Sequence, residues 1–395
     1  TGQGTGTITN DDDASISIDE LTQVETDSTT TDFVFTVTLD ASDPDDAIVI
    51  DYTTTDESAL AGSDYTANSG PLTFAAGTST LTQTITVAVN GDCSVEANET
   101  FTVDLSLICG YTGISVIGTG QGTGTITNDD DASISIDDVT QVETDSTTTD
   151  FVFTVTLDAA DPDDAIVIDW TTTDGTATVA DSDYTADSGT LTFAAGTSAL
   201  TQTITVAVNG DTAVEANETF TVDLSLNGSN TGSAVIGTGQ GTGTISNDDD
   251  ASVSIGDRTL AEGDSGTTDF IFTVTLDASD PDDAIVIDYT TTDVSALAGS
   301  DYTANSGTLT FAAGTTELTQ NITVAVNGDT AVEANETFTV DLALNGSNTG
   351  SAVIGTGQGT GTITNDDDAS ISIDDVTQVE TDSGTTNFVF TVTLD

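Results

Sequence analysis

Apolar residues alternate with polar ones, mostly threonine, through most of this chain. In TTDFVFTVTLD the residues Phe33, Phe35, Val37 and Leu39 recur at every second position. Period-two alternation of aromatic and β-branched residues predicts a half-buried strand with one face on a core and one face in water. Seven such runs follow one another. Strand A is Ser15 to Ile18 with an extension to Val24, and B is the run just quoted. C carries Ile48, Ile50 and Tyr52, D carries Leu72 and Phe74, and E carries Leu81, Ile85, Val87 and Val89. F carries Phe101, Val103, Leu105 and Leu107, and G runs from about Val116 to Thr127, with glycines that predict bulges or close backbone approach. The connections are short and rich in Gly or Asp, as in DASDPDDA and AAGT. Seven strands in roughly a hundred residues, with no helical period, predict an immunoglobulin-like sandwich.

The pattern then repeats. GTGTI followed by Thr or Ser and NDDDAS occurs four times, with its Asn at 10, 128, 247 and 365, at intervals of 118, 119 and 118. A unit of that size can own a core, so these are tandem domains rather than solenoid repeats. Residues 14–131, 132–250 and 251–368 are the expected complete copies. Residues 1–13 read as the last strand of a preceding copy and 369–395 as the first strands of a following one, so the chain is expected to be a window on a longer array. Strand A of each copy begins directly after the NDDD of the copy before, which leaves little slack between beads. The expected whole is an all-β, elongated rod of sandwiches.

Charge changes this picture most. The 395 residues hold 68 Asp plus Glu against one basic residue, Arg258, for a formal net charge of -67. Phosphate backbones and anionic membrane surfaces would be repelled, so nucleic acid and lipid are excluded as partners. No apolar run approaches the roughly 18 residues of a membrane span. With no His or Met and only Cys93 and Cys109, imidazole catalysis and Cys/His zinc sites are absent. An enzyme is not expected.

Because successive strands reverse direction, the AB, CD and EF loops and the exit from G gather at one end of each sandwich. That end collects Glu25, Asp56, Asp92, Glu96, Glu99, Asp129, Asp130 and Asp131 in the first copy. It collects Glu143, Asp174, Asp211, Glu215, Glu218, Asp248, Asp249 and Asp250 in the second, and Glu262, Asp293, Asp329, Glu333, Glu336, Asp366, Asp367 and Asp368 in the third. Asp11, Asp12, Asp13 and Glu380 are the matching positions of the partial copies. At about 4 Å each like-charge pair costs roughly 1 kcal/mol in water and several times that where water is partly excluded. A solvated acidic turn does not account for such convergence; a bound cation does. Oxygen-only ligands on several loops suit Ca2+, which takes about 6–8 oxygens, and bridging would allow roughly two to four ions per pole. The spacing matches neither an EF-hand nor a nonapeptide calcium repeat.

The motifs TTDESALAGSDYTANSGPLTFAAGT, ITVAVNGDCSVEANETFTVDL and GTGTITNDDD resemble the Calx-beta domain of sodium/calcium exchangers, integrin β4 and bacterial surface proteins. The resemblance covers all three complete copies and both partial ones. It implies a seven-stranded sandwich with calcium at the acidic pole, held by the residues named above. One departure stands out: where calcium-rich exchanger domains have a further Asp before the EF-loop Asp, this chain has Gly91, Gly210 and Gly328.

The function expected is a calcium-binding structural segment, a stalk or fibre of a large secreted or cell-surface protein of prokaryotic type. Its partners are further repeats of the same chain and, by lateral association into filaments, other copies. The competing reading is a calcium-sensing regulatory module. At the opposite end of the sandwich Asp43, Asp45 and Asp46 read as solvated, whereas Asp161, Asp163 and Asp164 are expected to approach Asp129 to Asp131 of the copy before and stiffen the joint with calcium. Cys93 and Cys109 lie at opposite ends, about 25 Å apart, beyond the roughly 7 Å that a disulfide allows between Cα atoms. Sequons begin at Asn98, Asn217, Asn335, Asn227, Asn321 and Asn345, the first three inside the proposed metal loop. Tyr65, Tyr184, Tyr302 and Trp170 are expected to pack against the core.

Overall fold

A computed structural model of the protein describes residues 2–8, 12–109 and 115–394. Among them every helix or strand is a strand. The first copy contains β1 (Ala14–Ile18), β2 (Leu21–Val24), β3 (Thr30–Leu39), β4 (Ile48–Asp56), β5 (Ser69–Phe74), β6 (Thr82–Asn90), β7 (Glu99–Leu107), β8 (Ser115–Thr119) and β9 (Gln121–Thr127). The second copy repeats them from β10 (Ala132–Ile136) to β18 (Gln240–Ser246), and the third from β19 (Ala251–Ile255) to β27 (Gln358–Thr364). Beyond them β28 (Ile371–Ile373) pairs with β29 (Val392–Leu394), setting Ile371 opposite Leu394 just as Ile16 stands opposite Leu39 in the first copy.

Each complete copy is a two-layer sandwich. One sheet has the order β6-β3-β1-β8 and the other β2-β9-β7-β4-β5. Strands A and G of the sequence are therefore each divided between the sheets. β1 and β2 are the two halves of A, β8 and β9 the two halves of G, and both A–G pairings are parallel. Asp19 holds the crossover of A, its Oδ1 accepting the Thr36 amide at 2.7 Å. Gly124 answers for the glycines of G: a Cβ there would lie 2.5 Å from the Phe101 ring.

The alternation in β3 buries Phe33, Phe35, Val37 and Leu39 completely or nearly so. They meet Phe101, the hub of the first core, whose ring lies 5.8 Å from Phe33, 5.9 Å from Phe35 and 4.6 Å from Tyr65, the last a parallel stack. Burial of each such side chain contributes about 1.5–3 kcal/mol. The other copies repeat the arrangement around Phe220 and Phe338. Trp170 is half-buried and packs against the second core.

Candidate metal centre

The sheet register brings the acidic loops to one end. Val24 closes β2 opposite Thr127 at the close of β9, Glu99 opens β7 opposite Ile126, and Asp56 closes β4 opposite Phe101. The loops leaving these strand ends share one pole.

Two lobes of carboxylates form there. In the first copy, oxygens of Glu25, Asp129 and Asp130 lie within 4.8 Å of one another, and so do oxygens of Asp64, Glu96 and Glu99. In the second copy Asp145, two residues past the Glu25 counterpart Glu143, groups with Asp248 and Asp249, while Asp183, Glu215 and Glu218 repeat the other lobe; the third copy gives Glu262, Asp366 and Asp367. Asp92 stands beside the first lobe, near enough to act on Glu25, Glu96 and Asp130, while its Oδ1 accepts the Ser94 amide. Asp211 and Asp329 act in the same way on Glu143 and Glu262, and Glu333 acts on both Glu262 and Glu336. Asp131, Asp250 and Asp368 are exposed neighbours of the central Asp of each triplet. Asp12 and Asp13 border a recess with Asp40 and Asp43, Glu380 is exposed, and Asp11 lies outside the described residues.

One oxygen of Asp56 is engaged by the CD loop. Its Oδ1 accepts the Tyr65 hydroxyl at 2.6 Å and the Ala61 amide at 2.9 Å. Asp174 holds Tyr184 and Val179 in the same way, and Asp293 holds Tyr302 and Ala298. The tyrosine hydroxyl, first among the causes, keeps the Asp56 and Asp293 carboxyls below the usual range. Asp64 and Asp183 enter the lobes from the same CD loop, and the sequence reading missed them. Their signal was the SDYT motif, whose Tyr is buried beside them. Asn128 was also missed as a brace: its side chain accepts the Glu96 amide at 3.1 Å and donates to the Asp130 carbonyl at 2.9 Å.

At the pole the carboxyls are pushed up by burial and by one another. Burial, then the neighbouring Glu96, Asp92, Asp130 and Asp129, push the Glu25 carboxyl up to about 7. Glu143 rises to about 7 by burial and then by Asp211, Glu215, Asp248 and Asp249. Burial, then a hydrogen bond to Asp64, does the same to Glu99. Asp130, Asp249 and Asp367 are pushed up first by burial and then by surrounding carboxylates. In all three, Oδ2 is buried with no hydrogen-bond partner. A carboxylate oxygen shielded from water with no hydrogen-bond donor is unfavourable when charged, so it marks where a positive group belongs. Arg258, the one basic residue, is exposed on β20 (Arg258–Ala261).

Gly91 precedes Asp92 for a steric reason. A Cβ there would stand 1.6 Å from the Thr26 carbonyl oxygen. The same approach occurs at Gly210, 1.5 Å from the Thr144 oxygen, and at Gly328, 2.0 Å from the Gly263 oxygen. The AB loop fills the space that a side chain would need.

The Calx-beta domain family model matches residues 10–131, 127–250 and 246–368. The chain belongs to the Calx-beta domain family. Solved structures similar to these Calx-beta domains include calcium binding domain CBD12 of CALX1.1, 18% identical over 58% of this chain and 99% of that one, with a TM-score of 0.28. They also include the apo-form Calx CBD1 domain, 22% identical over 30% of this chain and 100% of that one, TM-score 0.26. An I-band fragment of titin is 9% identical over 90% of this chain and 99% of that one, TM-score 0.35. No curated protein matches the sequence.

Calx-beta domains are a calcium-binding family, and the residues here fit that ion. The donors are all carboxylate oxygens on separate loops, and each pole holds one buried Asp oxygen without a partner. Glu25, Asp129 and Asp130 would hold a cation in one lobe, and Glu96 and Glu99 in the other. The ion would supply the charge that keeps these groups ionised.

At the opposite end of each sandwich, Asp161 is braced within its own domain, on the border of a cavity it shares with Glu96 of the preceding pole. Its Oδ1 accepts the amides of Asp163 and Asp164, both at 2.9 Å, and its Oδ2 accepts the Ser233 amide at 2.7 Å. Asp43 likewise accepts the amides of Asp45 and Asp46. Asp163 crosses the joint to the Asn98 amide, 3.0 Å away, and its counterpart Asp282 accepts the Asn217 amide at 3.2 Å. Cys93 and Cys109 are both exposed and unbonded to each other.

Proposed function

We propose that this Calx-beta array is a structural calcium-binding segment, the stalk or fibre of a large secreted or cell-surface protein of prokaryotic type, in which calcium stiffens the joints between domains. The observation that carries the reading is the double use of the loop from Asp92 to Glu99. Asp92, Glu96 and Glu99 belong to the carboxylate pole of their own domain. Between them, Val95 packs against the core of the next domain and Asn98 donates to Asp163 of that domain. Val214 and Asn217 repeat these contacts at the next joint.

A polar cavity of about 90 Å³ lies at the first joint, bordered by Glu96, Asn98 and Asn128 on one side and by Asp161, Asp163 and Asp164 on the other. A loop that is ordered at its pole presents Val95 and Asn98 in register for the neighbour. Domains this alike suit a spacer, which needs reach and no unique pocket. Millimolar extracellular calcium suits weak sites of this type. No helix of the described residues is long and apolar enough to cross a membrane.

The test is thermal unfolding of the 395-residue chain with calcium and with chelator. A ligand at about 100 times its Kd stabilises by about 2.7 kcal/mol per site, so chelation should lower Tm by 10 °C or more on the order-of-magnitude scale for a domain of this size. Small-angle scattering should show a more flexible chain. An unchanged melt would sink the structural-calcium reading. Half-saturation near micromolar calcium, with a change of shape, would favour the sensor instead.

A further inference from the structure

We infer that the loop from Asp329 to Glu336 of the third domain and the opposite end of the first domain are the two open halves of one joint, through which a second copy of this chain docks end to end. The inference goes beyond calcium binding and starts from the two joints that are closed within the chain. At each of them the same loop enters the next domain. Val95 packs against the core of the second domain and Val214 against that of the third, while the backbone amides of Asn98 and Asn217 donate to Asp163 and Asp282.

In the third domain this loop stands uncovered. Val332 is 54% exposed, and Glu333 and Ala334 are exposed with it, whereas their counterparts Glu96, Ala97, Glu215 and Ala216 are half-buried. The loop nevertheless keeps the shape it has at a closed joint. Asn365 Oδ1 accepts the Glu333 amide at 3.0 Å, as Asn128 Oδ1 accepts that of Glu96 at 3.1 Å. Asn335 Oδ1 accepts the Asn365 amide at 3.2 Å, as Asn98 Oδ1 accepts that of Asn128. A loop already in its bound shape gives up little conformational entropy on docking.

The first domain offers the matching socket. Its turn between β3 and β4 is built like the turns that meet the loop at the closed joints. Asp43 Oδ1 accepts the Asp45 and Asp46 amides at 2.9 and 3.0 Å, and the Asp43 carbonyl accepts the Gly77 amide at 2.7 Å, just as Asp161 holds Asp163, Asp164 and Gly196. Asp45, the counterpart of Asp163 and Asp282, is thereby presented at the surface. Ala14, Ala41 and Pro44 border a recess of about 550 Å³ beside it, whereas the closed joints leave cavities of only about 90 and 130 Å³. The recess has room for the Val332 side chain, and Asp45 is placed as the acceptor for the Asn335 amide. Because these are the same two faces that meet twice within the chain, the occupant they fit is the end of another copy.

The experiment uses the 395-residue chain at millimolar calcium, since both ends are acidic and would otherwise repel. Cys93→Thr and Cys109→Gly remove the native thiols and install the residues that the other copies carry at those places. Asp45→Cys and Ala334→Cys are then added, and a short bis-maleimide is the probe. Docking raises the effective concentration of the two thiols, so a ladder of linear multimers should form at least about tenfold faster than when Asp45→Cys is combined with Thr84→Cys on the side of the sandwich. Val332→Asp should remove the ladder at unchanged Tm, because Val332 is exposed. Scattering from the chain without crosslinker should show particles that lengthen with concentration at constant cross-section. A ladder no faster than the Thr84 combination, a ladder that survives Val332→Asp, or a cross-section that doubles would overturn the inference. Repetition in chelator separates it from the calcium reading: a ladder retained there leaves the docking standing and counts against calcium as what orders the loop.

Discussion

Asp161 and Asp249 are buried to nearly the same degree, 7% and 9% exposed, at opposite ends of one sandwich. Asp161 is saturated: three backbone amides serve its two oxygens. Asp249 is not, and its Oδ2 has no partner. An acidic composition alone therefore locates nothing in this chain. A buried carboxylate whose charge is already met by amides is an architectural brace, and one left unmet is half of a binding site.

The largest effect that could break this contrast is expected at the braced end. Asp161→Ala and Asp280→Ala each strand three backbone donors, and at about 1–3 kcal/mol for each donor left unsatisfied the loss should reach at least 3 kcal/mol, roughly, per domain. Denaturant unfolding should give the same loss with calcium and with chelator. A calcium-dependent loss would mean that Asp161 serves an ion after all.

Asp249→Asn should behave in the opposite way. With calcium present it removes a ligand and should destabilise by about 1–2 kcal/mol, whereas in chelator it removes an unpaired buried charge and should leave stability unchanged or improved. Equal loss in both conditions would make Asp249 a second brace.

Acidity offers a third, smaller test. Glu25, Glu99, Glu143, Glu218 and Glu336 have folded values of about 7 against an unfolded value of 4.5. Because the folded state then binds more protons between these values, the metal-free contribution is full below about pH 4.5 and is lost as pH rises through about 7. Chelated protein should therefore melt higher at pH 5 than at pH 7.5. With calcium bound the same carboxylates are held ionised, and the trend should reverse. Parallel pH profiles with and without calcium would contradict the assignment of the pole.

The smallest effect is expected at the joint. Asp163 is exposed, so Asp163→Ala should cost below about 1 kcal/mol while increasing the bending between the first and second domains in scattering. Unchanged bending would leave Val95 as the contact that orients the neighbours.

Much of this was readable from residue order. A period of two assigns alternate side chains to the core, and a one-residue slip would expose Phe33 and Phe35, so both strands and register were strongly specified. Antiparallel succession then sent the AB, CD and EF loops to one end, which is why Glu25, Glu96, Glu99, Asp129 and Asp130 were placed together correctly. The division of strands A and G between two sheets was not readable, because it depends on how closely the glycines of G approach Phe101 and the Asp19 crossover. Nor was the hydrogen bond of Asp56 to Tyr65, or the place of Asp64 beside Glu96 and Glu99, since each is an Asp near the same pole. The state of a single carboxylate oxygen was equally hidden. Asp161 is quenched by Ser233, far along the chain, and Gly91 lacks a side chain because of the Thr26 carbonyl. Local pattern sets which way a side chain points, but the partner that meets it arrives from a distant segment, and only folding brings that segment near.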